Sequence, residues 1–208
     1  MSSNAPEVRA ATFAEPFARF GELLARARAE TEIREPTAMS VATVGQDGRP
    51  SLRMVLLKDF DERGFVFYTN LGSRKARELQ GNPHAALCFH WQPFEIQVRI
   101  EGRAEPVSDA EADAYYASRP RGSRVGAWAS IQSTPLPSYD TLVRRVEEVD
   151  ARFGPTGDIP RPPFWSGFRV VPSAIEFWQG RPSRLHERDV YTLQPGDPPQ
   201  WNVGLLFP

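Results

Sequence analysis

Apolar residues recur at steps of four and three from Phe13 through Phe17, Phe20 and Leu24 to Ala27, the period of a helix with one buried stripe. Thr12 and Glu15 stand in the capping-box relation at its start. Ala38 to Val44 then reads as a strand ended by the Asp47-Gly48 turn signal. Leu52, Met54 and Leu56 alternate through a second strand running to Phe60, so the pair predicts a hairpin. Past a turn in Asp61–Gly64, Phe65 to Asn70 predicts a strand, and Ser73 caps a short helix that Gly81-Asn82-Pro83 stops. Strands over His84 to Trp91 and Glu95 to Pro106 follow, joined near Pro93. A second capping box, Ser108 with Glu111, opens a helix that ends before Arg119-Pro120. Tyr139, Leu142, Val143, Val146, Val149 and Phe153 mark a longer helix with a charged opposite face. Residues 154–163 read as a loop, and four short strands complete the chain: Phe168 to Val171, Ala174 to Trp178, Arg188 to Leu193 and Trp201 to Leu206. Strands in runs, with helices inserted irregularly, predict an α+β, mainly β, antiparallel sheet or barrel.

At 208 residues the chain suits a single domain over 1–208, with residues 1–11 expected to be a flexible lead. Lys plus Arg number 25 against 26 Asp plus Glu, so nothing global attracts a polyanion and no nucleic-acid partner is expected. With a single cysteine, Cys88, and no apolar run at the start, a cytoplasmic protein without a membrane partner is expected. His84, His90 and His186 match no ligand spacing, so no metal site is expected, and the Gly-rich nucleotide loops and the Gly-x-Ser-x-Gly elbow are absent.

What remains are short segments that combine Arg or Lys with hydroxyl and amide side chains at predicted strand ends. They are SLRMVLLK (Ser51 to Lys58), FYTNLGSRK (Phe67 to Lys75), SRPRGS (Ser118 to Ser123), the Gln132-Ser133 pair and FWQGRPSRLHER (Phe177 to Arg188). Gly72-Ser73 leads into a helix start whose free N–H groups favour an anion, and Arg74 and Lys75 add charge. SRPRGS reads as a loop carrying a second set of guanidinium and hydroxyl donors, which suggests a second phosphate. Taken singly, each segment also reads as ordinary structure: a capped first turn at Ser73, a snorkelling Lys58, an outward Gln97, a packed Trp178, an exposed His186.

In combination, FYTNLGSRK, SRPR, GAWASIQS, IEFWQG and RLHER, in this order and at these separations, resemble the pyridoxamine 5′-phosphate oxidase family from about Glu35 to Tyr191. The resemblance implies an FMN-binding split β-barrel with flanking helices, acting as a homodimer with two flavins at the subunit interface. It implies oxidation of pyridoxamine or pyridoxine 5′-phosphate by O2 to pyridoxal 5′-phosphate, with release of H2O2. Carried over by position, Arg53, Met54, Val55, Leu56, Leu57, Lys58, Tyr68, Thr69, Arg74, Lys75, Gln97, Gln132, Ser133, Trp178 and Arg188 would surround FMN. Lys58, Tyr115, Arg119 and Ser123 would grip the substrate phosphate, and Arg184 and His186, the catalytic pair, would approach the pyridine ring. If residues 184–188 are extended, Arg184, His186 and Arg188 share one side and Leu185 packs the other way.

The chain departs from the family pattern in places. Its start lacks the Arg and Tyr of a substrate lid, Ile96 stands where an Arg often precedes the flavin-strand Gln, and Leu205 replaces a usual Arg. Two alternatives stand beside the oxidase. One is a related split-barrel oxidase acting on another reduced ring such as a phenazine precursor, against which the cationic set Lys58, Arg119 and Arg184 speaks. The other is a non-catalytic flavin or pyridoxal-phosphate binding protein, which a turnover assay separates.

Overall fold

The computed structural model describes residues 8–208. Its strands are β1 (Arg9–Ala11), β2 (Ala38–Val44), β3 (Pro50–Leu56), β4 (Asp59–Asp61), β5 (Gly64–Asn70), β6 (His84–Trp91), β7 (Ile96–Pro106), β8 (Trp165–Gln179), β9 (Glu187–Gln194) and β10 (Gln200–Leu205). The helices are α1 (Glu15–Ala29), α2 (Arg74–Gly81), α3 (Asp109–Ser118), α4 (Arg121–Ala129) and α5 (Tyr139–Phe153). All strand pairs are antiparallel, in the order β1-β10-β9-β8-β7-β6-β2-β3, with β4 and β5 branching from β8.

The branch point is β8, which sequence patterning split in two. It is one strand with Ser173 bulged out, since Glu101 faces Ala174 while Gly102 already faces Pro172. Pro172 and Ser173 interrupt the alternation that marks a continuous strand, which is why two strands were expected. Before the bulge, the edge of β8 away from β7 pairs with β5; after it, that edge pairs with β9. The backbones close tightly there, for a Cβ on Gly102 would lie 2.1 Å from the Val171 carbonyl oxygen. The sheet therefore curls around a core into which α1 lays Phe17, Phe20 and Leu24. Phe20 is fully buried and meets Phe60, Phe65 and Phe89 at ring distances of 4.9, 5.0 and 5.0 Å. This is the mainly β, α+β antiparallel architecture that the residue pattern predicted, with the flanking helices and split barrel that the resemblance implied.

Several local expectations need correction. Residues 1–7 of the expected flexible lead lie outside the described residues, and Arg9–Ala11 pair with β10. No capping box opens α1: its N-cap is Ala14, and the Glu15 carboxylate accepts instead from the Tyr191 hydroxyl at 2.9 Å and from Arg9. The second strand stops at Leu56, and Phe60 belongs to β4, hydrogen-bonded to β5. Within SRPRGS only Arg119 and Pro120 form a loop, since Ser118 ends α3 and Arg121 begins α4. Arg121 turns away to Asp150 and the Gly154 carbonyl, tying α4 to α5. The caps at Ser73 and Ser108 form as expected, the second with its reciprocal Glu111 contact. Among the described residues, no helix is long and apolar enough to cross a membrane.

Candidate active site

A cleft of about 450 Å³ opens between the end of β3, β5, α2, α3 and α4. Met54, Val55, Leu56 and Lys58 line it from β3 and the residues after it, Tyr68 and Thr69 from β5, and Lys75 from α2. Tyr115 and Arg119 come from α3 and its C-cap, and Gln132 from the segment after α4. Ser123, Gly126, Ala127 and Ser130 add one small-residue face, spaced as neighbours on a helix. Asn70, Gly126, Ala127, Ser130 and Trp165 were not singled out from sequence; all but Trp165 lie in or beside the quoted segments, and α4 was not foreseen as a helix. Tyr68 stacks nearly parallel on Trp165 at 5.3 Å and on Tyr115 at 4.1 Å, making an aromatic wall. Burial is the main reason the Tyr68 phenol is pushed up, so it stays neutral near pH 7.

Two cations of the cleft are buried or half-buried and, among the described residues, have no carboxylate. Lys75 is 9% exposed, and its Nζ donates only to Thr69 Oγ1 and Gln132 Oε1, each at 3.1 Å. Burial, then the nearby Arg53, lowers its pKa. Arg119 lies with Cζ 4.8 Å from the Trp165 ring centre, its Nη1 buried without a hydrogen-bond partner, and burial lowers its pKa also. A buried charge without a counter-charge, as at Lys75, and a buried donor without a partner, as at Arg119, both cost free energy, so each position favours an incoming anion.

Beside the cleft, Arg53 and Arg74 both meet Glu78, at 3.3 and 2.8 Å. Arg74 is therefore paired on its own helix and does not line the cleft. Leu57, expected at the flavin, is turned into the core at 4% exposure. Ser133 has φ 68° and lines a neighbouring groove with Ile131, Leu136 and Arg145.

The other expected residues form a second cluster. Gln97, Trp178 and Arg188 occupy one row across β7, β8 and β9. Arg188 is held by Glu176, with bonds of 2.9 and 3.0 Å, and donates to the Phe207 carbonyl. Glu176 is 6% exposed; burial raises its pKa, but Arg188 and Arg99 outweigh this and hold it low. The His186 ring lies 4.5 Å from Trp178, and its Nδ1 accepts the Arg181 backbone N–H at 3.1 Å. The extended geometry expected for 184–188 does not occur. Pro182–Arg184 form a 3₁₀ turn with Ser183 and Arg184 at φ 58° and 62°, and Leu185 is exposed. None of Gln97, Trp178, Arg184, His186 and Arg188 lines the cleft.

The two clusters share one face of one sheet. The row Met54, Ser40, Cys88, Arg99, Glu176 runs from β3 to β8, and Gln97, Trp178 and Arg188 lie in the next such row. Four strand spacings separate β3 from β8, on the order of 19 Å along the sheet at ~4.8 Å each.

Residues 25–153 match the family model described as pyridoxamine 5′-phosphate oxidase, and residues 165–208 match a pyridoxine 5′-phosphate oxidase C-terminal dimerisation region. A pyridoxine/pyridoxamine 5′-phosphate oxidase of Myxococcus xanthus is 58% identical over 194 residues, covering 93% of this chain and 92% of that protein. A protein of the same name from Brucella canis is 57% identical over 195 residues, covering 94% and 95%. Among solved structures, PhzG from Burkholderia lata, in complex with tetrahydrophenazine-1-carboxylic acid, superposes with a TM-score of 0.85 at 33% identity, covering 94% and 93%. A pyridoxamine 5′-phosphate oxidase-related, FMN binding protein of Nostoc punctiforme shares the fold, with a TM-score of 0.71 at 19% identity over 92% and 96% of the two chains.

Proposed function

Because this chain belongs to the pyridoxamine 5′-phosphate oxidase family, we propose that it oxidises pyridoxamine 5′-phosphate and pyridoxine 5′-phosphate to pyridoxal 5′-phosphate with FMN as its cofactor and O2 as acceptor. The observation that carries this reading is the pair of cations without carboxylates, Lys75 and Arg119, on separate elements of one cleft. Two such cations fit two phosphorylated ligands, each carrying a charge of about −1.5 to −2 near neutral pH.

Met54, Val55, Leu56, Lys58, Tyr68, Thr69, Lys75 and Gln132, which line the cleft, hold FMN, with Lys75 at its phosphate and Arg53 and Arg74 beside it. The donor set fits the group, since Lys75 lacks an anion and Gly126 leaves space along α4 in which a Cβ would meet nothing within 4 Å. Lys58, Tyr115, Arg119 and Ser123 hold the substrate phosphate, and the Arg119 fork supplies paired donors. When bound, FMN would supply two-electron redox chemistry between the substrate's 4′ carbon and O2, which leaves as H2O2; for the amine substrate water also enters and ammonia leaves. The protein's part is alignment: the phosphate grip sets the pyridine ring against the cofactor while the aromatic wall excludes water.

Gln97, Trp178, Arg184, His186 and Arg188 serve the site from a second copy of the chain. Support comes from the match of residues 165–208 to a dimerisation region and from the sheet geometry, in which this cluster and the β3 wall of the cleft lie on one face, with four strand spacings between β3 and β8. Because His186 Nδ1 accepts the Arg181 N–H, the neutral ring carries its proton on Nε2 and presents a donor to the ligand. The ring in the PhzG complex carries a carboxylic acid and no phosphate, whereas the relatives at 58% and 57% identity are named for phosphorylated substrates.

Aerobic turnover tests this reading. Pyridoxamine 5′-phosphate should yield pyridoxal 5′-phosphate and H2O2 in equal amounts, and removing the phosphate from the substrate should lower kcat/KM by on the order of a thousandfold, the worth of two charge-assisted hydrogen bonds. Equal turnover of pyridoxamine and its phosphate would overturn it.

A further inference from the structure

One carboxylate beside the cleft belongs to no part of the function just described. Glu78, on α2, is 8% exposed and carries a charge in a place where most glutamates would be neutral or absent. Four side chains converge on it. Thr43 and Ser51 each donate a hydroxyl to its Oε2 at 2.5 Å, Arg53 approaches the same oxygen at 3.3 Å, and Arg74 Nε donates to Oε1 at 2.8 Å. Thr43 and Ser51 are register partners on β2 and β3, and Arg53 lies two residues beyond Ser51 on the same face. Arg53 also donates to Thr43 Oγ1, Ser51 Oγ and the Val41 carbonyl, so both terminal nitrogens of its guanidinium are held.

We propose that Glu78 is a positioning residue that holds Arg53 and Arg74 as a preorganised pair beside Lys75, and thereby makes the site select a flavin bearing a terminal phosphate. This rests on the reading that the cleft binds FMN. The charge arithmetic supports it: Arg53, Arg74 and Lys75 bring three positive charges and Glu78 one negative, leaving two to meet a phosphate dianion. Without Glu78 the three cations repel, and Arg74, whose side chain is 59% exposed, is released to solvent. The carboxylate stays ionised throughout. Burial pushes its pKa up, but the hydrogen bonds from Ser51, Thr43 and Arg74 overcome this and hold it at about 2. Glu78 makes no contact with the cleft itself, so it acts through the arginines.

The test compares FMN with riboflavin, which lacks the phosphate. Apoprotein is titrated with each flavin and binding is read from the quenching of flavin fluorescence, for the unmodified chain, Glu78→Gln and Ser51→Ala. Glu78→Gln keeps the shape but offers a single acceptor, so it should weaken FMN about tenfold while riboflavin changes less than about threefold. Ser51→Ala removes one support without altering charge and should move the FMN-to-riboflavin ratio in the same direction by a smaller step. A ratio that stays constant or rises in both variants overturns the proposal and leaves Glu78 a buried structural hub, whose loss would lower Tm alone. Should Glu78→Gln fail to fold, Ser51→Ala decides by the same ratio. An unmodified chain that binds riboflavin as tightly as FMN would instead contradict the FMN reading itself.

Discussion

Replacing Lys75 with methionine should weaken FMN binding by roughly thirty- to a hundredfold, the worth of one charge-assisted hydrogen bond to phosphate, without lowering the Tm of the apoprotein. The second half follows from the lysine's surroundings. Its ammonium is buried against two neutral oxygens, and burial first, then Arg53, lowers its pKa. With the folded pKa below the unfolded one, the unfolded chain binds more protons between the two values. Stability therefore rises with pH through that window and is least where the lysine is fully charged. A neutral side chain of similar length removes that penalty, whereas a bound phosphate offsets it. Thermal melts with and without FMN read both effects: the unmodified chain should gain far more Tm from FMN than Lys75→Met does. A variant that melts lower but binds FMN unchanged would make Lys75 a structural residue.

Arg119→Ala should raise the Kd for pyridoxamine 5′-phosphate by a comparable thirty- to hundredfold and leave FMN within about twofold. Arg119 is the C-cap of α3, held over Trp165 with one nitrogen buried and, among the described residues, unpartnered, so its geometry is set before any ligand arrives. Equilibrium titration of the FMN-loaded variant separates the two ligands. Equal losses for both would mean that this arginine faces the flavin phosphate and that the two anion positions are exchanged.

How far these residues could be foreseen varies with the kind of signal. Ser73 and Ser108 cap their helices because a hydroxyl at that position bonds the third residue on, a rule that short sequence windows carry. Strands β2 and β6 were legible in their β-branched or alternating patterns. Helix α4 was not, since Gly122 and Gly126 are poor helix formers and Pro120 reads as a break; Gly126 also leaves space on its cleft face. The turn at Ser183 and Arg184 places two residues other than glycine at positive φ, which no composition rule anticipates. Glu78 was invisible for another reason. A glutamate in a short polar helix ordinarily faces water, and only the packing of α2 on β2 and β3 buries it among Thr43, Ser51 and Arg53. The expected site residues fall into two clusters because sequence order does not record which of them lie together in space; on the reading proposed above, a second copy of the chain joins them.

The most direct measurement of the central claim is anaerobic mixing of the FMN-loaded protein with pyridoxamine 5′-phosphate while the flavin absorbance is followed. The account predicts full bleaching of the oxidised flavin band, recovery of the band when O2 is admitted, and no comparable bleaching with unphosphorylated pyridoxamine at the same concentration. A flavin that stays oxidised in the presence of pyridoxamine and pyridoxine 5′-phosphates, or one that bleaches equally with and without the phosphate, would contradict it.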